Sequence, residues 1–215
     1  MSSIVPTITA INAQEFREQM ARIAPFAKRV HIDFSDGQFA PVRLVNPIQA
    51  YWPEGIVADF HFMFTEPAIH IETAMSLRPD LVIIHAEAQG DLLAMLRQLR
   101  AVNIKTGVAL LQQTDPDEYK NLIAEADHVL IFSGNLGHQG GSTADLRLLD
   151  KVRQLRAINA TAEIGWDGGI NAENISQLAL GGIEVLNCGG AIHLAPDPAE
   201  AFKALETVLK NSNLS

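Results

Sequence analysis

In the apolar run RVHIDFSDGQF (29–39), His31 and Asp33 place an imidazole and a carboxylate two residues apart. Side chains of a strand alternate faces, so the two point the same way, roughly 6 to 7 Å apart along the chain. A single such pair reads as a locally satisfied strand end. His61 in DFHFMF and Asp167 in GWDGG repeat the pattern at the ends of two further apolar runs. Taken singly, His61 is a hydrogen-bonded core residue and Asp167 a turn former before two glycines. Taken together, two neutral imidazoles and two carboxylates are a reasonable donor set for one divalent transition metal with positions left open. The expected metal ligands are therefore His31, Asp33, His61 and Asp167, and the donor types accommodate zinc, iron(II), manganese or cobalt. His85 and Glu87 in IHAEA also share a face. They read either as groups orienting the ligands or as a polar pair lining a mouth. His70, His128 and His193 are assigned no chemistry.

A second constellation is glycine-rich. GNLGHQGGS (134–142), DGGIN (167–171) and CGGAIH (188–193) follow three successive apolar runs. Paired glycines expose consecutive N–H groups and let an anion approach without a side chain in the way. The plainer role of each is to end a strand in a tight turn. Three in succession beside Asp167 point to a bound phosphate.

The elements that must carry these residues alternate along the whole chain. IVPTITA precedes AQEFREQMARIAPF, where Phe16, Met20, Ile23 and Phe26 recur at helical spacing. RVHIDFSD leads to a short segment, NPIQAYW, and VADFHFMF to PAIHIETAMSL, with Pro67 suited to a first helical turn. DLVIIHAEA, KTGVALL, HVLIFSG, AEIGWDG and EVLNCGG continue the series, each with a following segment, the last a helix starting near Pro198. Eight strands alternating with helical patterns in 215 residues predict an α/β fold, a closed (β/α)8 TIM barrel. A doubly wound open sheet would carry its glycine turn after the first strand, where TITAIN has none. No linker divides the chain, so residues 1–215 are expected to form one domain, with 211–215 as a frayed tail. Barrels gather function at the C-terminal ends of their strands, where the polar residues above lie.

Composition limits the partners. A formal charge of -9 without clustered Lys and Arg argues against nucleic acid. No apolar run approaches the ~18 to 20 residues that span a bilayer, and the start MSSIVPTITA lacks a basic leader. The single Cys188 excludes an internal disulfide and suits a reducing compartment. A cytoplasmic protein is expected, with no membrane partner and as a homo-oligomer. Tyr51 and Trp52 are available either to a subunit contact or to packing beneath a loop.

HIDFSDGQFAP, DFHFM, IHAEA, NxGxxGG, WDGGIN and CGGAIHLAPDPAEA occur in an order that resembles the ribulose-phosphate 3-epimerase family, from Val5 to about Ala204. The resemblance implies a metal-dependent epimerase of a phosphorylated ketose, such as D-ribulose 5-phosphate to D-xylulose 5-phosphate. It maps the ligands onto His31, Asp33, His61 and Asp167, and gives Asp33 and Asp167 the acid and base roles through a metal-stabilised enediolate. It places the sugar phosphate against Thr7, which stands where the family has serine, against His61, and against Gly137, Gly140, Gly141, Gly168, Gly169, Gly189 and Gly190. The chain departs from the family at Ser35 and Phe132, where methionines are usual. It departs also at Gln112-Gln113 in place of N-P, and at LGHQGG (136–141) in place of P-G-F-G-G-Q. The ligands stay while the residues covering the substrate change. Two alternatives follow: an epimerase of another phosphoketose such as a hexulose 6-phosphate, or a barrel that binds a phosphorylated metabolite without turnover.

Overall fold

The computed structural model describes residues 2–212. Eight parallel strands close into one barrel in sequence order: β1 (Ser3–Ile8), β2 (Arg29–Ser35), β3 (Val57–Met63), β4 (Leu81–His85), β5 (Lys105–Leu110), β6 (His128–Phe132), β7 (Glu163–Asp167) and β8 (Val185–Cys188). Pairing of β1 with β8, Val5 opposite Asn187, completes the circle. The outer ring holds α1 (Ala13–Ile23), α2 (Ala68–Leu77), α3 (Leu92–Ala101), α4 (Lys120–Ala124), α5 (Asp150–Ile158), α6 (Ile175–Leu180), α7 (Gly190–His193) and α8 (Pro198–Ser212). The chain is thus a single-domain (β/α)8 TIM barrel, as its alternation predicts.

Local chemistry explains where the elements start and stop. Asn12 caps α1 by accepting from the N–H groups of Gln14 and Glu15, and Phe16, Met20 and Ile23 form its buried stripe. Phe26 falls outside that helix and stacks on Phe202 of α8 at 5.0 Å. After β2 the helix shrinks to one 3-10 turn, Pro47–Gln49, closed by reciprocal bonds between Asn46 and Gln49. Tyr51 packs on Phe16 and Trp52 edge-on against Phe60, each at 5.5 Å. α8 reaches Ser212, and the remainder of the segment expected to fray, 213–215, lies outside the described residues.

Strand alternation sorts the side chains into two populations. Val30, Ile32, Phe34, Phe60, Phe62 and Trp166 face outward into the main core beneath the helices. Inside the barrel, Leu81, Ile83, Ala109 and Leu130 make a small separate plug. Polar side chains occupy both sides of that plug. At the strand beginnings, the Arg29 guanidinium donates to Asp59 Oδ2 at 2.7 Å and bidentately to Glu163 at 2.9 and 3.1 Å. His128 Nδ1 lies 3.0 Å from Glu163 Oε2. Gly165 makes room for that ring, since a Cβ there would sit 2.5 Å from His128 Nε2. The residues singled out for chemistry lie at the opposite, C-terminal mouth.

Candidate active site

His31, Asp33, His61 and Asp167 are all buried, and each presents one nitrogen or oxygen within 4.8 Å of the others. Register accounts for the convergence: Asp33 pairs with His61 across β2 and β3, and barrel closure brings β7 round to meet them. His61 Nδ1 lies 2.8 Å from Asp33 Oδ1. His31 Nε2 is 3.3 Å from Asp33 Oδ1 and 3.5 Å from Asp167 Oδ2, yet neither ring nitrogen of His31 has a hydrogen-bond partner among the described residues. Thr9 Oγ1 donates to Asp33 Oδ2 at 2.7 Å. Gln19 of α1 grips the Thr9 backbone at both N–H and C=O, which fixes that hydroxyl.

The surroundings of the two carboxyls push them in opposite directions. Burial pushes Asp33 up, but the adjacent His31 and His61 imidazoles outweigh it and hold the carboxyl well below the usual carboxylate range. Asp167 is raised well above that range, by burial first and by the charge of Asp33 second. Burial also drives His31 down to about 4, so its imidazole is neutral.

Beyond the cluster, His61 Nε2 lies 2.9 Å from His85 Nε2, and His85 Nδ1 lies 3.3 Å from Glu87 Oε2. Glu87 is anchored by the Leu111 N–H and the Thr114 hydroxyl. Burial lowers His85 to about 4. Burial raises Glu87, but its hydrogen bonds from His85, Thr114 and Leu111 outweigh this and keep it ionised. Asp33, His61, His85 and Glu87 therefore make three contacts in a row. At the inner end of the row, His61 Nδ1 and His31 Nε2 both face Asp33 Oδ1. His31 and Asp167 converge on the same point. Two imidazole nitrogens and two carboxyl oxygens within 4.8 Å of one another, with no lysine or arginine lining the cavity beside them among the described residues, fit a divalent transition cation, as their residue types suggest.

A cavity of about 300 Å³ opens above the cluster, with Asp33 and Asp167 among its lining residues. Gly168, Gly169, Gly189 and Gly190 line it together with Gly137, Gly140 and Gly141 of the loop after β6. Several of these glycines are also required by packing. A Cβ on Gly168 would lie 2.1 Å from Gly134 N, and one on Gly169 the same distance from Ala144 N, both at positive φ. Gly189 is different, with a φ of -92° and only ordinary contacts around a Cβ, so the fold alone does not demand glycine there. Gln139 ties the β6 loop to β1 by donating to Thr7 O at 2.7 Å. On the far side of that loop a second cavity, about 740 Å³, is lined by Pro41, Leu111, Gln112 and Gln113 and shares Phe132 with the first.

Other sequence features find structural roles. Ser35 Oγ accepts from Gly37 N, and Asp36 caps the same turn by accepting from Gln38, Phe39 and Thr65. Phe132 packs its ring 5.8 Å from both His61 and His85. Thr7 lines the cavity with an unpartnered Oγ1. His70 stacks on Phe64 at 4.0 Å, and His193 is buried in α7. Sequence reading passed over Thr9, Gln139 and Asn187, all of which line the cavity. Thr9 was within reach, because Thr7 and Thr9 share a strand period. Gln139 and Asn187 carried no signal short of the fold.

The fold and site define a (β/α)8 barrel whose C-terminal mouth carries a buried His/Asp cluster that could hold a metal ion. Comparison with known proteins narrows this. The profile of the Ribulose-phosphate 3 epimerase family matches residues 3–193, and the chain belongs to that family, which makes it an isomerase. Ribulose-phosphate 3-epimerase of Mycobacterium leprae (strain TN) is 29% identical over 211 residues, spanning 94% of this chain and 92% of its own. The Helicobacter pylori (strain J99) protein of that name is 25% identical, spanning 95% and 97%. The chloroplastic ribulose-5-phosphate-3-epimerase of Arabidopsis thaliana is 28% identical, spanning 94% and 75%. Among solved structures, 3-hexulose-6-phosphate synthase from Salmonella typhimurium superposes with a TM-score of 0.73 at 18% identity, covering 99% of this chain and 100% of that one. KGPDC from Streptococcus mutans gives 0.73 at 11%, covering 98% of each. These two share the fold alone. Among the described residues, no helix is long and apolar enough to cross a membrane.

Proposed function

We propose that the chain interconverts D-ribulose 5-phosphate and D-xylulose 5-phosphate by proton transfer at C3. The observation that carries the reading is the pair of buried carboxyls, Asp33 of β2 and Asp167 of β7, lining one cavity in environments that push them in opposite directions, burial lifting Asp167 while His31 and His61 outweigh burial at Asp33. Environments that push two titratable groups apart assign a base and an acid. Asp33 takes the C3 proton, and Asp167 returns one from the opposite face. The roles exchange in the reverse direction. Thr9 holds one Asp33 oxygen in place during transfer. The phosphate lies against the turns of Gly168–Gly169 and Gly189–Gly190, supported by their place in the cavity wall and by a glycine at Gly189 that packing alone does not demand. His31, Asp33, His61 and Asp167 would hold a divalent cation, which supplies positive charge to offset the negative charge developing on the substrate oxygens.

The test is incubation of metal-loaded protein with D-ribulose 5-phosphate in deuterated water, with and without chelator. Xylulose 5-phosphate bearing deuterium at C3, lost on chelation and restored by a divalent metal, is the expected result. Neither product nor exchange from loaded protein would overturn the reading. A second reading, epimerisation of a longer phosphoketose, is favoured by the 740 Å³ cavity beyond the β6 loop. Comparison of kcat/KM on pentulose and hexulose phosphates decides between them.

A further inference from the structure

Asn187 is out of character for its position. Its neighbours Leu186 and Cys188 pack outward into the main core, whereas Asn187 lines the cavity at 1% exposure. It stands in register with Asp167 on β7 and Val5 on β1. Neither its Oδ1 nor its Nδ2 has a hydrogen-bond partner among the described residues. A buried carboxamide without partners destabilises the fold, and an apolar residue of strand-forming type would avoid that cost. The position relative to the proposed substrate explains the choice. Asn187 is level with Asp167, and Gly189, two residues further along the chain just past β8, begins the turn assigned to phosphate. Between an epimerised C3 and a phosphate-bearing C5, a pentulose phosphate carries one hydroxyl, on C4.

We propose that Asn187 is a specificity-determining residue that binds this intervening hydroxyl. A carboxamide both donates and accepts, which matches a hydroxyl in either sense. Thr7, on the adjoining strand β1 and with its own Oγ1 unpartnered, flanks the same wall. Sites that hydrogen-bond a substrate hydroxyl reject the analogue lacking it, because their buried polar groups are then left unpaired. The inference rests on the proposed function, since it needs a sugar phosphate lying between the carboxyls and the glycine turns.

The test titrates metal-loaded protein calorimetrically with D-ribitol 5-phosphate, an unreactive polyol, and with its 4-deoxy counterpart. The wild type is expected to prefer the hydroxylated ligand roughly tenfold or more. In Asn187→Leu the preference falls to about twofold or less, kcat/KM for D-ribulose 5-phosphate falls roughly tenfold or more, and the ligand-free melting temperature rises by about 2 to 4 °C. Asn187→Ser, with a shorter polar group, falls between. Preference retained in both variants overturns the proposal, as does a wild type indifferent to the 4-hydroxyl, which needs no variant to fold. Wild-type turnover of D-ribulose 5-phosphate without that preference sinks this inference alone. Absence of both turnover and polyol phosphate binding sinks the proposed function with it.

Discussion

The two ends of the barrel are built from the same residue types and treat them differently. At the strand beginnings, Asp59, Glu163 and His128 surround a cation that the chain itself provides, the Arg29 guanidinium. Burial pushes Glu163 up, but the hydrogen bonds from His128 and Arg29 prevail and hold it at about 2. At the C-terminal mouth, His31, Asp33, His61 and Asp167 converge with no lysine or arginine lining their cavity among the described residues. The contrast separates structure from function: a cluster closed by a cation of the chain's own holds strands together, and a cluster left open is a place for a ligand or a proton in transit.

The sharpest way to break the comparison is to neutralise the open end. Asp33→Asn and Asp167→Asn are each expected to lower kcat/KM for epimerisation by about 10³-fold while the far-ultraviolet spectrum and melting temperature are kept. Retention of most of the activity in either would remove that aspartate from the proton transfer. At the row's outer end, Glu87→Gln is expected to weaken divalent-metal affinity by about 10- to 100-fold, read by metal titration, because His85 then loses the acceptor that orients His61. Unchanged affinity would leave His85 and Glu87 as a polar pair lining the mouth.

Opening the closed end has the opposite signature. Arg29→Met strands buried Asp59 and is expected to cost about 3 kcal/mol, a fall in melting temperature of about 6 to 12 °C. Because the plug of Leu81, Ile83, Ala109 and Leu130 separates the two ends, kcat/KM well below the transition should stay within about twofold. The smallest effect is in acid. His31 and His85 fall from 6.5 to about 4 on folding, so between those values the unfolded chain takes up protons that the folded one refuses, and stability drops as pH falls. Glu163 falls from 4.5 to about 2, so its contribution is present above 4.5 and is lost as pH falls toward 2. A melting-temperature profile of Glu163→Gln should therefore be shallower than wild type only below about pH 4.5.

Much of this was legible in one dimension. The period-two placement of His31 with Asp33 and of His85 with Glu87 announced shared faces, and those pairs do lie together. The segment after β2 was legible as short, but the Asn46–Gln49 closure that holds it to one 3-10 turn was not, because it acts through side-chain geometry. The glycines illustrate a mixed case. Their clustering pointed to an anion, yet at Gly168 and Gly169 the immediate demand is backbone packed on backbone from a distant loop, which no local pattern reveals.

By itself the sequence determined the alternation, the barrel, the ligand candidates and the two carboxylates, because strand and helix periods are local properties of residue type. Only the tertiary structure decided that burial lifts Asp167 while neighbouring imidazoles hold Asp33 down, that a row of contacts runs from Asp33 through two histidines to Glu87, and that Asn187 has no partner at the cavity among the described residues. Those facts depend on closing β8 against β1 and bringing β7 to β2, since protonation and hydrogen-bond satisfaction are set by neighbours in space.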